Sequence, residues 1–433
     1  MPFDFHSGPG TGLRIAVVGA GISGLGAAYA LAPDHDVTLY EAEPRLGGHA
    51  RTLTAGRSRP VDVDTGFIVF NYPNYPLLTG LFDELGVPVK KSDMAFSASL
   101  DGGSFEYGLH ATSALFAQKR NLFRPAYWRM LADIPRFNKG IKRFADDPSV
   151  TLGEALNELR MSQWFREYFI LPLAGAIWSG TPEQMLDFPA AAFIRFFDNH
   201  GLLTLHDQPQ WYTVDGGSKV YVAKLEAALR HHGVVIRTGT PVEAAGRANG
   251  PDGGAWVKPA DAEREPFDAI IFACHSNQAL PMLTDPSSAE AAVLGDLQYT
   301  PNRVILHDDT RLMPQRRACW AAWNYRGRTG EAADAVTITY WMNRLQGLPE
   351  DQLLFVTLNP AEEIPAEHIF NETVLDHPAF DLAAMRAQQA LHALQGERNT
   401  WFCGAYTRYG FHEDGLMSGV AAAKALGAQP QWA

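Results

Sequence analysis

Residues Arg14 to Leu31 read Arg-Ile-Ala-Val-Val-Gly-Ala-Gly-Ile-Ser-Gly-Leu-Gly-Ala-Ala-Tyr-Ala-Leu, a buried apolar strand running through a glycine turn into a helix. No other stretch constrains the fold as much. In the pattern G-x-G-x-x-G, Gly19 permits the tight turn, Gly21 lets a pyrophosphate approach the backbone, and Gly24 lets the helix pack closely on the strand. The helix opens at Ile22 and Ser23, and its N-terminus presents free N–H groups and a partial positive charge to phosphates. Glycine turns also join strands to helices where no ligand binds, so context has to decide. Val37 to Tyr40 reads as the next strand and ends at Glu41, 22 residues after Gly19, where a carboxylate can accept ribose hydroxyl hydrogen bonds.

Ala42-Glu-Pro-Arg45-Leu-Gly47-Gly48-His49-Ala-Arg51-Thr52 follows directly, a second glycine turn with basic residues where a coenzyme would continue. A simple NAD site has no need of it, whereas an extended FAD meets the Gly47 and Gly48 backbone and the Arg45 and Arg51 charges. A solvated basic loop is the alternative. Together these residues resemble the flavin amine oxidase and phytoene desaturase superfamily, whose pattern is G-x-G-x-x-G, a strand-end Glu, then R-x-G-G-R-x-x-T. Here the run is R-L-G-G-H-A-R-T, with His49 where the family most often has Arg and Arg51 two positions later. Asp64-Thr-Gly66-Phe67 is similar to the family's D-x-G turn. Near the C-terminus, Thr400 to Gly404, followed by Tyr409-Gly-Phe-His412-Glu-Asp414-Gly415-Leu416-Met-Ser418-Gly419, resembles its terminal flavin motif. In that motif a strand returns to the cofactor, and a helix starting near Asp414-Gly415 points its positive end at the flavin ring. The resemblance implies FAD, held by the residues just named and by Val242. It also implies an α/β fold: a Rossmann-like FAD-binding domain with an inserted α+β substrate domain, mostly antiparallel sheet covered by helices.

At 433 residues the chain is too long for one compact core and implies two domains, or one with a large insertion. Residues 1–85, 210–295 and 396–433 read as three parts of the FAD-binding domain, and 86–209 and 296–395 as two parts of the substrate domain. In the first part, Leu77 to Leu85 is amphipathic. Ser92 to Tyr107 reads as a hairpin around Asp101-Gly102-Gly103. From Ala111 to about Gly201 the pattern is helical, broken at Pro125, Pro135, Pro172, Pro182 and Pro189. A helix Val220 to Leu229, a small meander and a buried strand Phe267 to Ala273 follow, with Gly250 to Gly254 as a hairpin turn. Strands are expected at Asn302 to His307, Ala318 to Tyr325, Ala335 to Met342 and Leu353 to Asn359. In the third, Val336, Ile338, Tyr340 and Met342 alternate against Thr337, Thr339 and Trp341.

The first twelve residues read as a flexible lead-in without the basic and apolar regions of a secretory signal. The most apolar run, Tyr168 to Trp178, is 11 residues, short of the roughly 20 that span a bilayer. Cys274, Cys319 and Cys403 are isolated, with no spacing for a disulfide, a zinc site or a redox pair; no metal is expected, and the cytoplasm is the natural compartment. A net charge of −12 argues against a nucleic-acid partner.

FAD accepts a hydride at its ring N5, so no catalytic triad is required. The candidate acids or bases are His275, His412 and Lys219, with a hydrogen-bonded structural role as the ordinary alternative for single histidines. With one dinucleotide turn and no Cys pair, electrons are expected from an organic substrate, not from NAD(P)H, and pass to dioxygen or another acceptor. Between Lys119 and Arg143 eight basic residues face one acid, a net +7 that leaves −19 for the rest. Interleaved aromatics make this a segment of the kind that lies on anionic membrane surfaces, here the inner membrane face; a solvated helix face is the alternative. The aromatic stretch Trp164 to Phe197 is suited to an acyl tunnel or to a core. The chain also resembles bacterial flavoproteins that desaturate methyl-branched acyl chains of phospholipids. An amine oxidase with a short cavity, a sugar-nucleotide mutase and a flavin-binding protein without turnover remain as alternatives.

Overall fold

Ile15 to Val18 are all apolar, so this strand has no face for solvent and must be covered on both sides. In the computed structural model, which describes residues 12–147, 149–178, 181–199, 203, 209–247, 253–329 and 336–433, Arg14–Val18 is the centre of a five-stranded parallel sheet. The strand order is Thr400–Phe402, Ala269–Phe272, Arg14–Val18, Asp36–Tyr40, Val235–Arg237. One face packs on the helices Ile22–Leu31, Lys219–His231 and His412–Ala425. The other packs on an antiparallel meander of Val242–Arg247, Ala255–Pro259 and Glu265–Phe267, and on the helix Leu382–Leu391. The lead-in 1–11 and most of the expected Gly250 to Gly254 turn lie outside the described residues.

The chain leaves this sheet twice to build a seven-stranded one, ordered Ile369–Pro378, Tyr299–His307, Phe355–Leu358, Thr337–Trp341, Trp323–Gly327, Phe96–Leu100, Phe105–Gly108. Every neighbouring pair is antiparallel except Trp323–Gly327 with Phe96–Leu100. Helices between 112 and 199 cover one face, burying Ile338 with Phe137, Phe165 and Phe193. The other face is also closed, by Trp341 against Trp320 and Phe355 and by Thr339 bonded to Thr357, so the alternation in this strand separates two buried faces.

Several expectations require correction. The hairpin is Phe96–Leu100 with Phe105–Gly108; Ser92 ends a separate strand, Val89–Ser92, paired with Trp211–Val214. Ala318 and Cys319 form a 3-10 turn, and the strand starts at Trp323. Met342 opens a short helix instead of ending its strand. Pro135 does not break the helix Pro125–Gly140, which runs through it, and Pro125 and Pro182 start helices, where the missing N–H costs nothing.

Candidate flavin site

Gly19 has φ +103°, and a Cβ there would come within 2.7 Å of the Ala273 carbonyl oxygen on the neighbouring strand. Gly24 is closed in the same way: an added Cβ would lie 3.0 Å from the Gly19 carbonyl carbon and nearer its oxygen. Gly21 differs, because a Cβ built on it meets nothing within 4 Å. It is the N-cap of Ile22–Leu31 and supplies no side-chain bond to the first turn, so that helix end offers its N–H groups outward. The turn therefore fits a pyrophosphate at Gly21, with Gly19 and Gly24 serving chain geometry. Ile22 and Ser23 are buried against the C-terminal helix: a Cβ on Gly415 would touch both, and one on Gly26 would strike Leu416.

Glu41 stands at the end of its strand, half-buried, and its two oxygens accept the N–H groups of Ala20 and Glu43, each at 2.8 Å. A carboxylate oxygen has a second lone pair, so a ribose hydroxyl can still be accepted. Ala42 beside it is exposed. The second glycine turn folds onto the first: Gly47 N–H donates to Ala20 O, and Gly48 faces the Gly21 Cα, 3.1 Å from an added Cβ. Arg45 ties that turn together from within, donating to the carbonyls of Gly48 and Ala50. Arg51 reaches Thr65 and Asn371. Thr52 donates to Asp64, a buried carboxylate that also accepts from Ser218 and Gln346. Burial pushes the Asp64 carboxyl up to about 6 despite these donors. Thr52 is thus part of a knot holding three distant segments. Gly66 is wedged beneath the His49 carbonyl, and Val242 packs at the edge of the meander.

His49 lies among histidines from other parts of the chain, with its ring centre 5.7 Å from that of His275 and 6.0 Å from that of His377. Its Nε2 meets the Asp376 carbonyl. His412 stacks on Phe67 at 3.9 Å and shares a 2.7 Å hydrogen bond with the buried Tyr221 hydroxyl. Burial lowers all four imidazoles: His275 to about 4, His377 and His412 to about 3, and His49 in the same direction. They are neutral at pH 7. The sequence singled out His275 and His412 and missed that His49 and His377 join them; the replacement of the family's usual Arg by His49 was the available signal. Lys219 is elsewhere, ion-paired to Asp62 at 2.7 Å.

The C-terminal helix starts at His412, two residues before the expected Asp-Gly pair. Asp414 is its third residue and accepts from the Phe411 N–H; Ser418 accepts from the Gly404 N–H. Glu413, unmarked in the sequence, accepts the N–H groups of Leu77 and Leu78 and so caps the helix Pro76–Leu85. Burial pushes Asp414 up to about 6 and Glu413 up to about 7.

The basic segment does not act as one face. Arg129 and Arg136 clamp the fully buried Asp133, Lys142 pairs with Asp198 and Arg143 with Glu158. Lys119, Arg120, Arg124 and Lys139 have no acidic partner among the described residues, and three of these stand at the segment's start. Here too are Leu122, Phe123 and Trp128, three of the seven large apolar side chains exposed among the described residues.

A parallel sheet, a glycine turn at its centre strand and a second glycine turn folded against it define a dinucleotide-binding protein of the flavoenzyme type. The family model for flavin containing amine oxidoreductases matches residues 22–427, and the chain belongs to that family: it is an FAD-dependent oxidoreductase. Among solved structures it is similar to cyclohexylamine oxidase from Brevibacterium oxydans IH-35A (TM-score 0.68, 15% identity, 96% of this chain and 99% of that one). The CLA-producing fatty acid isomerase from P. acnes is comparably similar (0.66, 16%, 94% and 97%), as is putrescine oxidase bound to putrescine (0.66, 16%, 96% and 99%). At these identities the likeness is one of fold. No curated protein matches by sequence. Among the described residues no helix is long and apolar enough to cross a membrane, and no group of side chains is arranged to hold a metal.

Proposed function

We propose that this protein is a fatty acyl dehydrogenase, a desaturase acting on acyl chains of phospholipids, with dioxygen or another acceptor taking the electrons. One observation carries the reading. A single buried cluster holds Phe105, Phe193, Phe196 and Phe197; the partly buried Tyr168 packs against it, as does Phe411, which stacks on Phe196 at 4.6 Å and directly precedes His412. An acyl chain needs apolar surroundings of this extent; a short amine does not.

FAD, when bound, supplies hydride acceptance at its ring N5. The residues suited to hold it are Gly21 and the first turn of Ile22–Leu31 for the pyrophosphate, Glu41 for the ribose, and the start of His412–Ala425 for the ring. Phe411 and Phe196 exclude water from the reacting carbon. The imidazoles of His49, His275, His377 and His412 are neutral and so open to the second hydrogen as a proton, although burial disfavours their charged form and makes them weak bases. Comparing lipids from cells with and without the gene by mass spectrometry tests the reading: it requires acyl chains with two hydrogens fewer only where the gene is present, and identical lipid profiles count against it.

A further inference from the structure

The basic segment opens onto a recess of about 530 Å³, lined by Ser104, Phe105, Arg120, Phe123, Arg124 and Tyr168 among others. Its floor is aromatic: Phe105 lies edge-on to Trp164 at 5.4 Å and to Tyr168 at 4.6 Å, and those two stack at 4.8 Å. Its rim is cationic. The Arg124 guanidinium sits 5.9 Å over the Trp164 ring and donates to Asn121; Arg120 donates to the Ser104 carbonyl. Phe123 projects from the same rim with 86% of its surface exposed, beside Trp128 at 49% and Leu122 at 42%.

Two further features set the recess apart from a crevice between helices. Tyr168 belongs to a π-helical turn, Arg166–Ile170, a rare distortion that is frequent at functional sites. The recess also adjoins the core, because the Tyr107 hydroxyl donates to the Tyr168 carbonyl, and Tyr168, like Phe411, packs against the apolar cluster that holds Tyr107.

Two planar guanidiniums above an aromatic floor, with exposed apolar side chains at the rim, suit an anionic head joined to an apolar body. We propose that this recess binds the phosphate head of one anionic glycerophospholipid presented by a bilayer, with Arg120 and Arg124 as the anion ligands. Phe123, Leu122 and Trp128 lie in the headgroup layer, and an acyl chain passes inward over Phe105 and Tyr168. This deepens the lipid reading above and rests on it for the chain's destination. Charge complementarity selects the occupant, since Arg120 and Arg124, which have no acidic partner among the described residues, both line the recess in a chain of net −12.

The test uses the full-length, FAD-loaded protein in co-sedimentation with phosphatidylglycerol or phosphatidylcholine vesicles. The R120Q/R124Q variant should bind phosphatidylglycerol vesicles about thirtyfold more weakly, at roughly 1 kcal/mol for each basic residue near an anionic surface. R120K/R124K should retain most of the affinity, F123S should lose affinity with its flavin spectrum unchanged, and K139Q/K142Q should lose less than R120Q/R124Q. Equal binding by wild type and R120Q/R124Q overturns the proposal, as does full displacement by millimolar inorganic phosphate, which would make this a soluble phosphate site. Anaerobic flavin bleaching by phosphatidylglycerol vesicles carrying methyl-branched acyl chains is read separately. A wild type that binds through these arginines but is not bleached keeps the recess and sinks the lipid-oxidation reading. Bleaching with R120Q/R124Q binding unchanged does the reverse.

Discussion

Alanine or valine at Gly21 should separate cofactor binding from folding, and alanine at Gly24 should not. Gly21 has φ −72° and ψ −176°, backbone that any residue adopts, and a Cβ there has no neighbour within 4 Å. Replacing glycine by alanine at such a position changes stability by less than about 1 kcal/mol, in the stabilising direction. At Gly24 the Cβ would lie 3.0 Å from the Gly19 carbonyl carbon and 3.1 Å from the Ala273 Cβ, so helix and strand must separate, at a cost of about 3 kcal/mol or more. With roughly 2–4 °C per kcal/mol for a large domain, G24A apoprotein should melt about 6–12 °C lower, while G21A and G21V stay within a few degrees of wild type. FAD binding inverts the order. A branched side chain at 21 removes the phosphate approach, and losing two hydrogen bonds to charged oxygens, about 1.5–3 kcal/mol each, weakens FAD by two orders of magnitude or more. Circular dichroism of the apoproteins and titration of flavin fluorescence give the two numbers. A stoichiometrically yellow G21V protein, or a G21V apoprotein that melts with G24A, refutes the assignment of Gly21 to the pyrophosphate.

Further outcomes follow from the buried polar groups. Glu413 is held up to about 7 by burial, so the fold binds its proton more tightly than the unfolded chain does. Its stabilising contribution is complete below about 4.5 and is lost as pH rises through about 7; thermal melts of the apoprotein from pH 4.5 to 7.5 should show E413Q with a flatter decline than wild type. Removing the His412 imidazole in H412L leaves the Tyr221 hydroxyl buried without its 2.7 Å partner and should cost about 1–3 kcal/mol in urea unfolding; wild-type stability would show that the pair contributes nothing. R129Q/R136Q strips both cationic partners from buried Asp133, leaving it the Ser162 N–H, and should lower the melting temperature, whereas R120Q/R124Q should leave it unchanged.

The nucleotide sheet was legible because its evidence is local: an apolar run, three glycines in register and a strand-end Glu41 occupy 28 consecutive positions. The edge strand Ile369–Pro378 was not. Its charged residues and terminal proline are what an edge strand carries to avoid pairing with another chain, and they erase the apolar alternation. The histidine cluster was hidden for a different reason, since His49, His275, His377 and His412 come together only through the crossing of four segments. In the basic segment a signal was present and outweighed by net charge: Arg129–Asp133 and Asp133–Arg136 have the i,i+4 and i,i+3 spacing of helix-face ion pairs. That spacing turns two of the eight positive charges inward, toward a carboxylate the fold has buried.

Anaerobic titration of the purified, FAD-loaded protein with candidate reductants, followed by flavin absorbance near 450 nm, tests acyl-chain oxidation most directly. Phospholipid vesicles carrying methyl-branched acyl chains should bleach the flavin, and the recovered lipid should contain a chain with one added double bond. Bleaching by cyclohexylamine or putrescine with the phospholipid inert would contradict the account.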